Sequence, residues 1–130
     1  MSSTPVSDIV IVLTTIDSAD RAGTLARALI AERLAACVNV LPEMRSFYRW
    51  EGETKAETEW QLLIKTTAAR LDALRQRLHE LHPYEVPEFL VLPVSGGSES
   101  YLRWIAESTG PEQVSSTAPT GRPAASFEPS

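Results

Sequence analysis

Residues 44–66 place the strongest constraint on what this chain can fold into. Two extended runs flank Glu51-Gly52-Glu53, and the second alternates. Thr58, Trp60, Leu62 and Ile64 fall on one side, with Glu57, Glu59, Gln61 and Lys65 on the other. A period of two is the signature of a strand, and a glycine between two such runs marks a hairpin. That hairpin is too long for its body. The run from Lys55 to Thr66 spans roughly 40 Å at about 3.3 Å per residue. A compact domain of this chain length is only about 30–35 Å across. The excess carries Phe47, Tyr48, Trp50 and, at its inner limit, Trp60 out into solvent beside unpaired strand edges. A lone subunit would have both an apolar patch and an edge liability there. The expectation is strand sharing between copies of the chain.

The remaining elements follow from periodicity. Residues 8–15 form a β-branched run, apolar on both faces, and read as a central strand. Asp17, Ser18 and Asp20 offer capping oxygens to a helix running to about Arg33, with Ala22, Leu25, Ala26, Leu29, Ile30 and Leu34 inward. Residues 36–41 form a second strand, ended by Pro42. Thr67 caps a second helix striped by Leu71, Leu74, Leu78 and Leu81, and that helix ends at His82-Pro83. Residues 89–92 read as the last core strand, and Ser98 opens a short helix carrying Leu102, Trp104 and Ile105. The order β-α-β-β-α-β plus a terminal helix is the ferredoxin-like α+β arrangement. Residues 1–7 read as a short extension and 8–109 as one domain. Residues 110–130, rich in Pro, Ser, Thr and Ala, read as a disordered tail.

Composition removes several classes of function. The net charge is −5 and no basic stripe occurs, which argues against nucleic-acid binding. The ten arginines and two lysines are scattered among glutamates on helices, a solvated pattern. One cysteine excludes an internal disulfide and a Cys-x-x-Cys motif. No apolar run approaches 18 residues, and the N-terminus lacks the layout of a signal peptide. A soluble cytoplasmic protein without membrane contact is the expectation.

Chemistry concentrates in His82-Pro83-Tyr84-Glu85-Val86-Pro87-Glu88. Two prolines in five residues fix the backbone outside helical geometry. The connector displays an imidazole, a phenol and two carboxylates, groups suited to metal coordination or proton transfer. His79 lies three residues before His82, so a shared face could chelate a metal; its place in the last helical turn equally suits the helix dipole. Cys37 has small apolar neighbours and reads as a buried hydrophobe. As a nucleophile it would need His82 or Lys65 nearby. Glu57, Glu59 and Lys65 read as a solvated strand face, or as the wall of a cleft if another subunit covers them. Trp50 and Tyr48 read as interface packing before a stacking platform. The loop Thr14-Thr15-Ile16-Asp17-Ser18 lacks the paired cysteines of a metallochaperone and the phosphate cradle of an acylphosphatase.

Taken in order, five blocks resemble one family, the CutA divalent-cation tolerance proteins. They are Leu34-Ala35-Ala36-Cys37-Val38-Asn39, Tyr48-Arg49-Trp50-Glu51-Gly52, Leu63-Ile64-Lys65-Thr66, the His82 to Glu88 connector, and Tyr101-Leu102-Arg103-Trp104-Ile105. The resemblance implies a ferredoxin-like subunit in a tight homotrimer similar to PII signalling proteins, with hairpins packed across subunits. It implies a non-catalytic role in tolerance of copper and other divalent cations. It also implies that Cys37, Trp50, Lys65, His82, Tyr84 and Glu85 lie near an intersubunit cleft. Family members that bind copper use a cysteine near the end of the first strand and a histidine pair before Pro-Tyr. Here Thr14-Thr15 and Leu81 occupy those places and only His82 matches, so Cu(II) or another divalent cation would bind weakly, with further ligands from Tyr84, Glu85 or a second subunit. An alternative is an enzyme or small-anion sensor in which Lys65 binds the ligand and His82 or Tyr84 moves the proton. A third is a scaffold whose tail recruits a protein partner.

Overall fold

The computed structural model describes residues 8–111. The expectations for residues 1–7 and for the tail beyond Pro111 lie outside them. The element order is β1 (Ile9–Ile16), α1 (Ala19–Ala31), β2 (Cys37–Val40), β3 (Met44–Trp50), β4 (Glu53–Thr67), α2 (Leu71–Leu81), β5 (Leu90–Pro93) and α3 (Glu99–Glu107). The strands run β2-β4-β1-β5 across an antiparallel sheet, with β3 paired only to β4. This is the expected α+β sandwich. The helices α1 and α2 cover one face, where Val12, Ile16, Leu25, Leu29, Leu62, Ile64, Leu74 and Leu78 form the core.

Local chemistry explains the boundaries. Ser18 caps α1 by accepting the Arg21 N–H at 2.9 Å, as its position predicts. The helix stops at Ala31, two residues earlier than expected, because Arg33 adopts a left-handed φ of 58°. Its side chain holds that turn: Nε donates to the Gly110 carbonyl at 2.7 Å and a second guanidinium nitrogen to the Glu107 carbonyl at 2.9 Å. The Gly110 N–H returns a bond to the Arg33 carbonyl at 3.0 Å, tying the end of α3 to the end of α1. At the other helix, Thr67 makes no side-chain cap, and a 3₁₀ turn at Ala68–Arg70 starts α2 instead.

The hairpin is as long as the sequence requires. Glu51 and Gly52 have φ of 51° and 82°, the paired positive values of a two-residue turn that matches strand twist. Trp60–Thr67 pair with β1, whereas Glu53–Glu59 pair only with β3. That second stretch is an arm about 23 Å long at about 3.3 Å per residue. Phe47 is 69% exposed on it, and Tyr48 and Trp50 are about two-fifths exposed. Trp60 packs on the core rather than on the arm.

Three apolar expectations change. Ile30 and Leu81 are exposed, although Leu29, Leu34, Leu78 and His82 near them are buried. The strand β5 is an edge, and Leu90, Val91 and Leu92 are all exposed. Leu90 and Leu92 pair with Leu13 and Ile11, so they extend the sheet face opposite α1 and α2. On that face α3 covers only the Ile9 end, through Leu102 and Ile105.

Candidate functional site

The arm and the connector after α2 face each other across a groove. Strand alternation builds the first wall. Met44, Ser46, Tyr48 and Trp50 share a face of β3, and the register Met44 to Glu59 and Ser46 to Glu57 puts two carboxylates on that face. The connector builds the second wall. Pro83 forces His82 out of the helix, so His82 is the C-cap with ψ 137° and its ring turns inward.

His82 is 6% exposed and both its ring nitrogens are engaged. Nε2 lies 2.7 Å from the Thr15 carbonyl, and Nδ1 accepts the Tyr84 backbone N–H at 3.1 Å. A carbonyl only accepts and an amide only donates, so the neutral tautomer with its proton on Nε2 is the one that satisfies both. Burial lowers the imidazole pKa below its ordinary value, against a smaller raising effect of the Thr15 bond. His82 thereby pins the connector to the end of β1. A cation could reach Nδ1 only by displacing the Tyr84 amide.

Tyr84 stacks edge-on against His82 with ring centroids 4.6 Å apart, and its hydroxyl donates to Glu59 Oε2 at 2.7 Å. Burial, then the Glu59 carboxylate, push the phenol pKa far above its usual range, so it stays a neutral donor. The Gln61 amide bridges the Thr14 carbonyl at 2.8 Å and Glu88 Oε2 at 3.1 Å. The groove that results has a volume of about 830 Å³, and neither Lys, Arg nor His lines it. Glu59 is 7% exposed, so the solvated reading of this strand face fails there. The chain's own connector covers it before any second subunit does.

The six residues expected near one cleft fall into two groups within the chain. Trp50, Tyr84 and Glu85 line the groove, with His82 behind Tyr84. Cys37 and Lys65 are register partners at the other end of the sheet, about 13 Å along β4 from Gln61 by strand rise. There the Lys65 ammonium lies 3.4 Å from the Tyr101 hydroxyl and 5.6 Å from its ring centroid. Cys37 is half-buried rather than buried, and its Sγ meets Asn39 Oδ1 at 3.8 Å. Of the two residues a nucleophilic Cys37 would need, Lys65 stands across the ladder, and His82 instead reaches β1. His79 sits exposed, with Nδ1 2.9 Å from the Arg75 carbonyl one turn back.

Among the described residues, no group of three or more His, Cys, Asp or Glu side chains is placed to hold a metal ion. None of the described helices is long and apolar enough to cross a membrane. Sequence reading missed Gln61 as a groove residue and gave Glu59 only as the wall of a cleft covered by another subunit. The alternation gave their side of the strand, but the connector that buries Glu59 and meets Gln61 through Glu88 reaches the strand only in three dimensions.

Comparison with known proteins adds the family evidence. The CutA1 divalent ion tolerance protein family matches residues 10–108. A Thermus thermophilus relative, "Divalent-cation tolerance protein CutA", is 48% identical over 100 residues, covering 77% of this chain and 97% of its own. An Arabidopsis thaliana relative, "Protein CutA, chloroplastic", is 39% identical over 100 residues, covering 77% of this chain and 55% of its own. A solved structure of the divalent cation tolerance protein from Thermus thermophilus superposes with a TM-score of 0.77 at 47% identity, over 78% of this chain and 99% of that one.

Proposed function

Because the chain belongs to the CutA1 divalent ion tolerance family, we propose that it serves divalent-cation tolerance as a cytoplasmic homotrimer, without catalysis. The match over residues 10–108 carries the reading. Self-assembly is supported by the projecting arm, the exposed edge β5 and the apolar sheet face that α3 leaves open. Sharing these surfaces between three copies would bury what a single chain exposes.

Cation contact in this reading is weak and made through oxygen. His82 spends both nitrogens on the backbone, so the donors left in the groove are oxygens, among them those of Glu59, Glu85 and Tyr84, with a neighbouring subunit completing the set. Such a set gives weak contact to divalent cations in general, with Cu(II) the tightest of the first-row ions. The alternative, an enzyme or small-anion sensor using Lys65 with His82, loses support within the chain. Lys65 stands beside Cys37 and Tyr101, apart from the groove.

The test is calorimetric titration of tag-free protein with Cu(II) in a non-coordinating buffer, paired with native mass spectrometry. The expected result is a trimer that binds Cu(II) with Kd of about 10 µM or weaker, roughly 7 kcal/mol or less. A monomer under native conditions would remove the assembly. A flat titration would remove direct cation binding and make any tolerance indirect.

A further inference from the structure

Three arginines are half-buried among the described residues, and two of them are engaged. Arg33 donates to the carbonyls of Glu107 and Gly110. Arg77 donates to both oxygens of Glu32, at 2.9 Å to one and 3.0 Å to the other, and to one oxygen of Glu80 at 3.0 Å. Arg70 differs. It makes no hydrogen bond or ion pair with any described residue, and its Nε is buried without an acceptor among them. Buried donors are satisfied as a rule, and a guanidinium is an always-charged fork that matches a carboxylate.

Arg70 lines a cavity of about 310 Å³, at the small end of the range for organic ligands. The cavity lies on the helical side of the sheet, where Leu34 and Ala73 give it an apolar wall. The arm, the β5 edge and the open sheet face lie elsewhere, so self-assembly through them leaves the cavity accessible.

The charges around the cavity are separated. Glu32 and Glu80 share the single guanidinium of Arg77, which leaves that end negative, and Arg70 makes the other end positive. Glu80 spends one oxygen on Arg77, and its second has no partner among the described residues. A simple anion would meet Arg70 and be repelled by the carboxylates, and a simple cation would meet the reverse. A molecule carrying both signs complements both ends. Arg70 and Glu80 are about 15 Å apart along the helix, at a rise of about 1.5 Å per residue. Glu80 reaches back a turn to Arg77. The gap that remains suits a flexible chain of several carbons and is too long for an α-amino acid.

We propose that this cavity binds an ω-amino acid, a zwitterion whose amine and carboxylate are separated by several carbons. Its carboxylate meets Arg70, its ammonium meets Glu80, and its carbon chain lies against Ala73 and Leu34. The site is independent of the groove between the arm and the connector, with which it shares no residue.

The probe is ε-aminocaproate, with caproate and hexylamine as controls that each lack one charge. Each is titrated calorimetrically into the full-length native assembly, and amide NMR shifts locate the contact. ε-Aminocaproate should bind with a Kd of about 1 mM or tighter and shift the Leu34 and Ala73 amides. Caproate and hexylamine should each bind at least about tenfold more weakly, or about 1.4 kcal/mol. Arg70→Gln should weaken ε-aminocaproate at least about tenfold with the elution volume unchanged. Glu80→Gln, at an exposed position, should bring ε-aminocaproate down to the affinity of caproate without weakening caproate, and it serves if the Arg70 variant fails to fold. Absence of ε-aminocaproate binding up to about 10 mM would overturn the proposal. So would parental affinity in both variants, or equal affinity for caproate, which would mean contact with one charge only. Shifts confined to the arm and the connector would place the ligand in the groove and overturn it as well.

Discussion

Replacing His82 by alanine tests whether the imidazole is a structural pin. The substitution removes the donor to the Thr15 carbonyl at 2.7 Å and the acceptor of the Tyr84 N–H at 3.1 Å. Thr15 is buried, so its carbonyl has no ready exchange with water, and stranding such a group costs about 1–3 kcal/mol. Tyr84 is half-buried, which puts its amide at the low end of that range. With the ring contact to Tyr84 also lost, the expected destabilisation is about 2–4 kcal/mol. The assay is urea unfolding between pH 5 and 8 at one fixed protein concentration, since subunit association shifts the midpoint. The pH dependence has a definite sign. Burial lowers the folded imidazole pKa below the unfolded value of about 6.5. Between the two values the unfolded chain holds the extra proton. Stability is therefore full above about pH 6.5 and declines as pH falls toward the folded pKa. His82→Ala should lose that part of the slope. A variant within about 0.5 kcal/mol of the parent, with the parent's pH slope intact, would refute the reasoning. A variant of parental stability that had lost its Cu(II) heat would make His82 a metal ligand instead.

Three further outcomes follow from the same contacts. Leu78→Ala, at a fully buried α2 position facing the sheet, should cost about 2–5 kcal/mol in urea unfolding. Arg33→Ala removes both guanidinium bonds to the end of α3 and should cost about 1–3 kcal/mol. Hydrogen exchange should then show α3 amides opening ahead of the β1 and β4 amides. Cys37→Ser should leave the Cu(II) titration unaltered, because the thiol sits beside Lys65 and Asn39 at the far end of β4. A binding step lost in that variant would put the thiol in the ligand set.

Periodicity alone determined the order of elements, the sheet class and the hairpin that outgrows its domain. Those are local properties: a period of two, a leucine every third or fourth residue, and Glu51-Gly52 at a turn needing positive φ. The connector His82 to Glu88 was also legible, because two prolines allow little else. The burial of Glu59 was not. Its place on the polar side of β4 reads as solvated, and only the return of the connector across the sheet, with the Tyr84 hydroxyl 2.7 Å away, covers it. The split of the expected cleft residues was hidden for the same reason. Lys65 lies on the same strand face as Glu59 but six residues on, and cross-strand register gives it Cys37 as its neighbour. Tertiary structure likewise decided the role of His82. Sequence displayed an available imidazole; the fold brings the Thr15 carbonyl, 67 residues away, onto one nitrogen and turns the Tyr84 amide onto the other. Sequence sets which groups a segment carries, because φ, ψ and side-chain period are local. What those groups touch depends on contacts between distant segments, and here that converts a candidate ligand into a pin and a surface glutamate into a buried one.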